Sequence, residues 1–182
     1  LRRAIVRSLT LVNSADLFRK YKSISLRLYE VRTTTLSESD FYPRTDTCQG
    51  GEIKILYTGA LSFNKGLREL TDAFFNLLKD SYNVSLHFAG IEFDSHKPVE
   101  VYLRRKVLEL NIEDKVYFHG YHKTGEDLNQ IYRSMDIYVL PSYNEGFPRT
   151  IWEAMANGLP VIASRVGSIP FFLSEWENVI LI

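Results

Sequence analysis

The stretch NEGFPRTIWEAMANGLPVIAS, residues 144–164, carries two glutamates eight positions apart, Glu145 and Glu153. Pro148 suits the first position of a helix and Gly158 the position just past its end, so the spacing predicts a helix over 148–157 with Glu145 in the loop before it. The first amides of a helix have no partner within it, and together with the helix dipole they favour an anion. Gly146 allows close approach to that backbone, so the loop reads as a cradle for a phosphate. At 100° per residue, Arg149, Thr150, Glu153 and Asn157 share one face, and Ile151, Trp152, Ala154 and Met155 share the other. Glu153 then has two readings, a ligand contact or a solvated residue paired with Arg149 at i,i+4. A glycosidase-style acid and base pair fits poorly, because eight helical residues span about 12 Å and such carboxyl pairs stand roughly 5–9.5 Å apart.

Positioning this loop falls to a regular alternation that sets in after Gly50 and Gly51. Strands are expected at KILYTG (54–59), VSLHFAG (84–90), KVYFHG (115–120), DIYVLPS (136–142), PVIAS (160–164) and NVILI (178–182), with further helices over 65–80, 99–110 and 126–135. Such alternation implies βαβ units and an α/β fold, a Rossmann-like parallel sheet with helices on both faces. Ligands bind outside the carboxyl ends of such strands, where Gly59, Gly90, Gly120 and the segment PSYNEG (141–146) converge.

Residues 1–49 lack that rhythm. Leu1, Ile5, Leu9 and Val12 fit one face of an amphipathic helix whose Arg2, Arg3 and Arg7 lie elsewhere, a basic flank suited to solvent or to a membrane surface. Thr33, Thr34, Thr35, Pro43 and the run TDTCQGG read as a linker.

The 182 residues leave room for one domain and a piece of a second. With 22 basic and 22 acidic residues, nothing points to nucleic acid as a partner. The single cysteine, Cys48, cannot close an internal disulfide, so a reducing compartment is the default. His87, His96, His119 and His122 lack metal-ligand spacing, and no metal site is expected. No G-x-G-x-x-G run supports a dinucleotide-dependent oxidoreductase. Glu92, Phe93 and Asp94, the nearest approach to a D-x-D motif, read as loop polarity.

The E-x7-E of Glu145 and Glu153, after a strand ending in LPS, occurs together with KILYTGALSFNKG and DKVYFHGY in that order. The combination resembles the donor-binding signature of the retaining GT-B glycosyltransferases of family 4, glycosyl transferases group 1, over about residues 53–182. The resemblance implies that 50–182 are the nucleotide-sugar domain, truncated at its C-terminal end, and that 1–49 are a remnant of the acceptor domain and hinge. It implies transfer of a hexosyl-type sugar from a nucleotide-diphosphate-sugar to a glycan or lipid-linked acceptor, with retention, in polysaccharide biosynthesis. The place implied is the cytoplasm, with peripheral membrane contact through the N-terminal domain. No cofactor and no metal are implied, and the fragment alone is expected to be inactive.

By the same resemblance, Glu145 holds the donor sugar, Glu153 the ribose, and Lys65 the diphosphate, with Lys65 and Glu145 taking the catalytic roles. Gly59 and the backbone at Gly146 and Phe147 complete the cradle, and Gly120, Tyr121 and Lys123 lie against the base. Ala60 stands where the family commonly has arginine, only Gly90 remains of a second glycine-rich turn, and Pro148 and Arg149 follow Phe147 where the family runs E-G-F-G. Arg149 is therefore expected to reach the diphosphate in place of the absent arginine, with pairing to Glu153 as the alternative. Two further functions remain open: a non-catalytic nucleotide-sugar-binding subunit, and a sugar-nucleotide epimerase on the same architecture.

Overall fold

Six strands lie side by side in the computed structural model, which describes residues 8–31, 36–45 and 47–182. They are β3 (Ile53–Thr58), β4 (Val84–Ala89), β5 (Val116–Gly120), β6 (Ile137–Leu140), β7 (Val161–Ala163) and β8 (Ile180–Leu181). Their spatial order is β5-β4-β3-β6-β7-β8, and every pairing is parallel. Helices α2 (Leu67–Lys79), α3 (Pro98–Glu109), α4 (Glu126–Arg133), α5 (Arg149–Ala156) and the short α6 (Ile169–Phe172) fill the connections. Before them come β1 (Leu9–Val12), α1 (Ala15–Tyr21) and β2 (Arg27–Glu30), where β1 and β2 form a separate parallel pair.

The sheet follows from the sequence patterns. β4, VSLHFA, is buried at every position, as a central parallel strand covered on both faces must be. α2 buries Leu67, Leu70, Thr71 and Phe74, the i, i+3, i+4, i+7 stripe of a helix packed on a sheet. The α/β reading thus holds in kind and in order, with element ends differing by a few residues.

Two sequence expectations change. Leu9 and Val12 belong to a strand rather than a helix: LTLV pairs with Arg27–Glu30, and Ser14 then caps α1 by accepting from Leu17 N at 3.2 Å. Their spacing is helical, but pairing with Arg27–Glu30 overrides it, and the capping serine sets the boundary. Residues 1–7, with Leu1, Ile5 and the three arginines, lie outside the described residues, as do 32–35 and 46 of the expected linker. The helix expected over 148–157 is α5, Arg149–Ala156; Pro148, with ψ 103°, is its cap rather than its first residue, so Arg149 opens the helix.

A cluster around the buried His87 makes the fold sensitive to acid. His87 Nε2 lies 3.0 Å from Ser85 Oγ and its Nδ1 lies 2.9 Å from His119 Nε2, while Tyr117 stacks on the ring at 4.8 Å. Burial, then the neighbouring His119 and Lys54, hold the His87 pKa down at about 4, against Glu52, which raises it. The folded state therefore prefers neutral His87, and the stability this contributes is whole above about pH 6.5 and lost as the pH falls toward 4. A shift of that size corresponds to about 3 kcal/mol. His87→Gln should flatten the fall of the melting temperature between pH 7 and 4.5, and an unchanged slope would contradict this.

Candidate functional site

The strand order reverses between β3 and β6, since β3 pairs with β4 on one side and β6 on the other. The carboxyl ends at such a switch point open a crevice suited to a ligand. Lys65 comes from the 3-10 turn Phe63–Lys65 after β3, and Glu145 from the loop after β6. Gly66 has φ 67°, and a Cβ there would stand 2.1 Å from the carbonyl oxygen of Pro141, so only glycine lets the two loops close on each other. Tyr143 N donates to Asn64 O at 3.0 Å beside it. The outcome is an ion pair between Lys65 Nζ and Glu145 Oε1 at 2.6 Å, with the glutamate side chain only 9% exposed and the lysine 28%.

Glu153 is buried rather than solvated, which removes the reading of it as a surface charge. Tyr132 Oη donates to Glu153 Oε2 at 3.1 Å, and Thr58 Oγ1 lies 2.7 Å from the same tyrosine oxygen. Burial raises the pKa of Tyr132 well above the usual phenol range, and Glu153 adds to the rise. Tyr138 is raised in the same way, first by burial, with both Glu145 and Glu153 contributing. The two glutamates thus act on one buried tyrosine of β6. Asn157 is fully buried one turn beyond Glu153; its Nδ2 donates to Asn129 Oδ1 at 3.0 Å and its Oδ1 accepts from Arg133 Nε at 3.0 Å, fixing the end of α5.

A cavity of about 260 Å³ opens above these strands. Its walls are Gly59 and Ala60 after β3, Gly90, Ile91 and Phe93 after β4, Tyr121, His122 and Thr124 after β5, Leu128 of α4, and Arg149, Thr150 and Glu153 of α5. Gly90 permits the narrow floor: a Cβ on it would stand 1.8 Å from Gly59 O. Of the residues singled out from sequence, Gly59, Tyr121, Arg149 and Glu153 wall this cavity, and Lys65 meets Glu145 at the adjoining loops. Gly120, Lys123, Gly146 and Phe147 are not among its walls. The Phe147 ring instead stacks on Trp152 at 5.4 Å and meets Phe172 edge-on at 5.7 Å. Lys123 N donates to Asp127 Oδ2 at 2.8 Å, which pins the loop after β5.

Glu92 is more than loop polarity. Its buried carboxylate accepts from Val99 N at 2.9 Å and Glu100 N at 3.0 Å, closing the start of α3 from outside the helix. That bond pins the loop that offers Phe93, 84% exposed, to the cavity. Val99 lies seven positions after Glu92, outside the usual capping spacing, so this contact has no local signal in the sequence. Among the described residues, no three His, Cys, Asp or Glu side chains group as a metal ion would require. No helix among them is long and apolar enough to cross a membrane.

Comparison with known proteins covers most of this architecture. The sequence model described as "Glycosyl transferases group 1" matches residues 40–182. The chain is 36% identical over 143 residues to the mannosylfructose-phosphate synthase of Agrobacterium fabrum, covering 72% of this chain and 31% of that protein. It is 32% identical over 130 residues to a D-inositol 3-phosphate glycosyltransferase of Corynebacterium efficiens, covering 70% and 30%. The chain thus spans about a third of the length of the curated relatives it matches. Among solved structures, the sucrose-phosphate synthase of Thermosynechococcus elongatus superposes with a TM-score of 0.78 at 26% identity, covering 100% of this chain and 47% of that one. Anabaena HepE, solved in complex with UDP and glucose, gives a TM-score of 0.80 at 20% identity over 96% of this chain and 49% of that one, a likeness of fold.

Proposed function

The chain belongs to the glycosyl transferases group 1 family, and from that premise we propose that it forms the donor half of a retaining, family 4 type glycosyltransferase. The donor is a nucleotide-diphosphate-sugar and the acceptor a glycan or lipid-linked glycan, in polysaccharide biosynthesis in the cytoplasm or at the inner face of the membrane. The observation that carries this reading is the contact of Lys65 with Glu145 beside a cavity walled by Glu153 and Arg149. A diphosphate and the sugar it bears are adjacent groups, and here a cation for the first and a carboxylate for the second already touch. Glu153 stands ready for the ribose hydroxyls, and Tyr121, with Gly120 and Lys123 behind it, for the base. Gly59 and the main chain at Gly146 and Phe147 border the diphosphate. HepE, of like fold, holds UDP and glucose, which supports a nucleotide sugar as the ligand class.

The chemistry then needs little from the protein beyond charge and placement. As the anomeric C–O bond breaks, electrons pass to the diphosphate, and Lys65, Arg149 and the start of α5 stabilise that charge without a metal or cofactor. The acceptor hydroxyl attacks the anomeric carbon from the face the diphosphate leaves, and its proton passes to a departing phosphate oxygen. Residues 50–182 supply the donor contacts and 1–49 belong to the acceptor domain and hinge, so the chain alone binds donor without turnover. The test follows donor consumption by the longer protein with proton NMR: a transferred sugar with unchanged anomeric configuration supports the proposal, and inversion overturns it.

Arg149 and Ala60 wall the same cavity, which gives the arginine substitution a geometric basis. A cation at the first position of a helix is disfavoured by the dipole, and a bound diphosphate reverses that penalty. Arg149→Ala should lower donor affinity about tenfold, the scale of one charge-assisted hydrogen bond. Adding Ala60→Arg should restore most of it, whereas additive effects in the double-mutant cycle would show that the two positions do not exchange.

A further inference from the structure

Gly146 does not owe its identity to its own backbone. Its φ lies outside the left-handed region where glycine is favoured. Yet a Cβ built on it would stand 3.0 Å from Asn13 Nδ2 and 3.2 Å from both Asn13 Cγ and Oδ1, tighter than ordinary van der Waals contact. Asn13 lies between β1 and α1, far away in sequence, and its carboxamide rests against the residue that follows Glu145.

The contact is secured by the residues that follow Asn13. Ser14, buried, caps α1, and Ala15 N donates to Ser168 Oγ at 3.0 Å. Ser168 is also buried, and its own N donates to Gly146 O at 3.2 Å. One serine therefore ties the start of α1 to the same peptide that Asn13 covers. Further along α1, the Arg19 guanidinium sits 4.1 Å over the Phe171 ring. Gly167 packs against the preceding residue, where a Cβ would stand 1.8 Å from Glu145 O. The main chain at Glu145 and Gly146 is thus gripped by Gly167 and by Asn13, and it carries the carboxylate that pairs with Lys65.

We propose that Asn13 is a positioning residue for Glu145: its carboxamide fixes the orientation of the glutamate loop, and Gly146 is a glycine to admit Asn13 rather than a phosphate. This assignment rests on Glu145 holding the donor sugar, as argued above. A positioning role predicts an effect confined to the sugar end of the ligand. Asn13→Ala should weaken UDP-glucose or GDP-mannose binding about tenfold while leaving free UDP or GDP within about twofold.

The decisive experiment is a double-mutant cycle between Gly146→Ala and Asn13→Gly, read by thermal melting without ligand and by calorimetric titration with the same four probes. Gly146→Ala should lower the melting temperature and weaken nucleotide-sugar binding about five- to fiftyfold, within the span of coupling seen for residues in contact. Adding Asn13→Gly should bring the melting temperature back toward the parent chain and leave nucleotide-sugar binding no weaker than in Asn13→Gly alone, since the carboxamide is already gone. Additive effects on melting would overturn the inference whatever the ligand does, because the crowding would not be with Asn13. Coupled melting in a parent chain that binds none of the four probes would overturn the donor-binding reading, and with it the role assigned to Asn13. Nucleotide-sugar binding clearly weaker in the double variant than in Asn13→Gly alone would place the need for glycine at the ligand and so refute the proposal.

Discussion

If the proposed transfer takes place, Lys65→Ala is expected to lower its kcat by about 10²- to 10³-fold, the scale of losing one preorganised group that stabilises developing negative charge. The donor Kd should rise by much less, since the diphosphate gains its extra charge only as the sugar departs. Lys65 reaches this position because Gly66 brings the turn after β3 against Pro141, and Nζ meets Glu145 Oε1 at 2.6 Å. The alanine also leaves a carboxylate with 9% of its side chain exposed and its partner gone, so some stability is lost as well. Lys65→Arg separates the two effects: it should keep the melting temperature near that of the parent and recover part of the rate. A variant whose KM rises while kcat is kept would show that Lys65 binds the ground state and the transition state alike and does not favour the latter.

Glu153→Gln should weaken nucleotide binding by about 1.5 to 3 kcal/mol, roughly 10- to 100-fold, the cost of exchanging a charge-assisted hydrogen bond for a neutral one. Glutamine still offers an oxygen to Tyr132 Oη, now 3.1 Å from Glu153 Oε2, so the fold should melt within a few degrees of the parent. Tyr132→Phe makes the complementary change, removing the internal donor and leaving the carboxylate. If only Tyr132→Phe weakens nucleotide binding, Glu153 serves the packing of α5 and not the ribose.

The layout of the sheet was legible because period and punctuation agreed. VSLHFA and IYVL read as buried strands, and KGLRELTDAFFNLLKD placed its apolar residues at the helical spacing that α2 buries. The cavity was legible in part, since the glycines ending β3 and β4 and the residues of α5 fall at strand ends that any parallel sheet brings together. What escaped the sequence depended on contacts between distant segments. The burial of Glu153 needs Tyr132, 21 positions away, and the bonds of Glu92 to Val99 and Glu100 cross a loop. Asn13 follows a stretch whose apolar spacing suited a helix, and its approach to Gly146 has no local signature. Arg149 moved from the interior of the first turn to its opening residue because Pro148 adopted an extended ψ of 103°, which its fixed φ leaves free.

In the proposed complex a nucleotide sugar lies across the carboxyl ends of β3 and β6 with its nucleotide at Glu153 and its sugar at Glu145. Calorimetric titration of UDP, GDP and their hexose conjugates into the parent chain, Glu153→Gln and Glu145→Gln tests this directly. Glu153→Gln should weaken the free nucleotide and the nucleotide sugar alike, while Glu145→Gln should weaken the nucleotide sugar and spare the free nucleotide. Equal losses from both substitutions for both ligand types, or no binding by the parent chain, would contradict it.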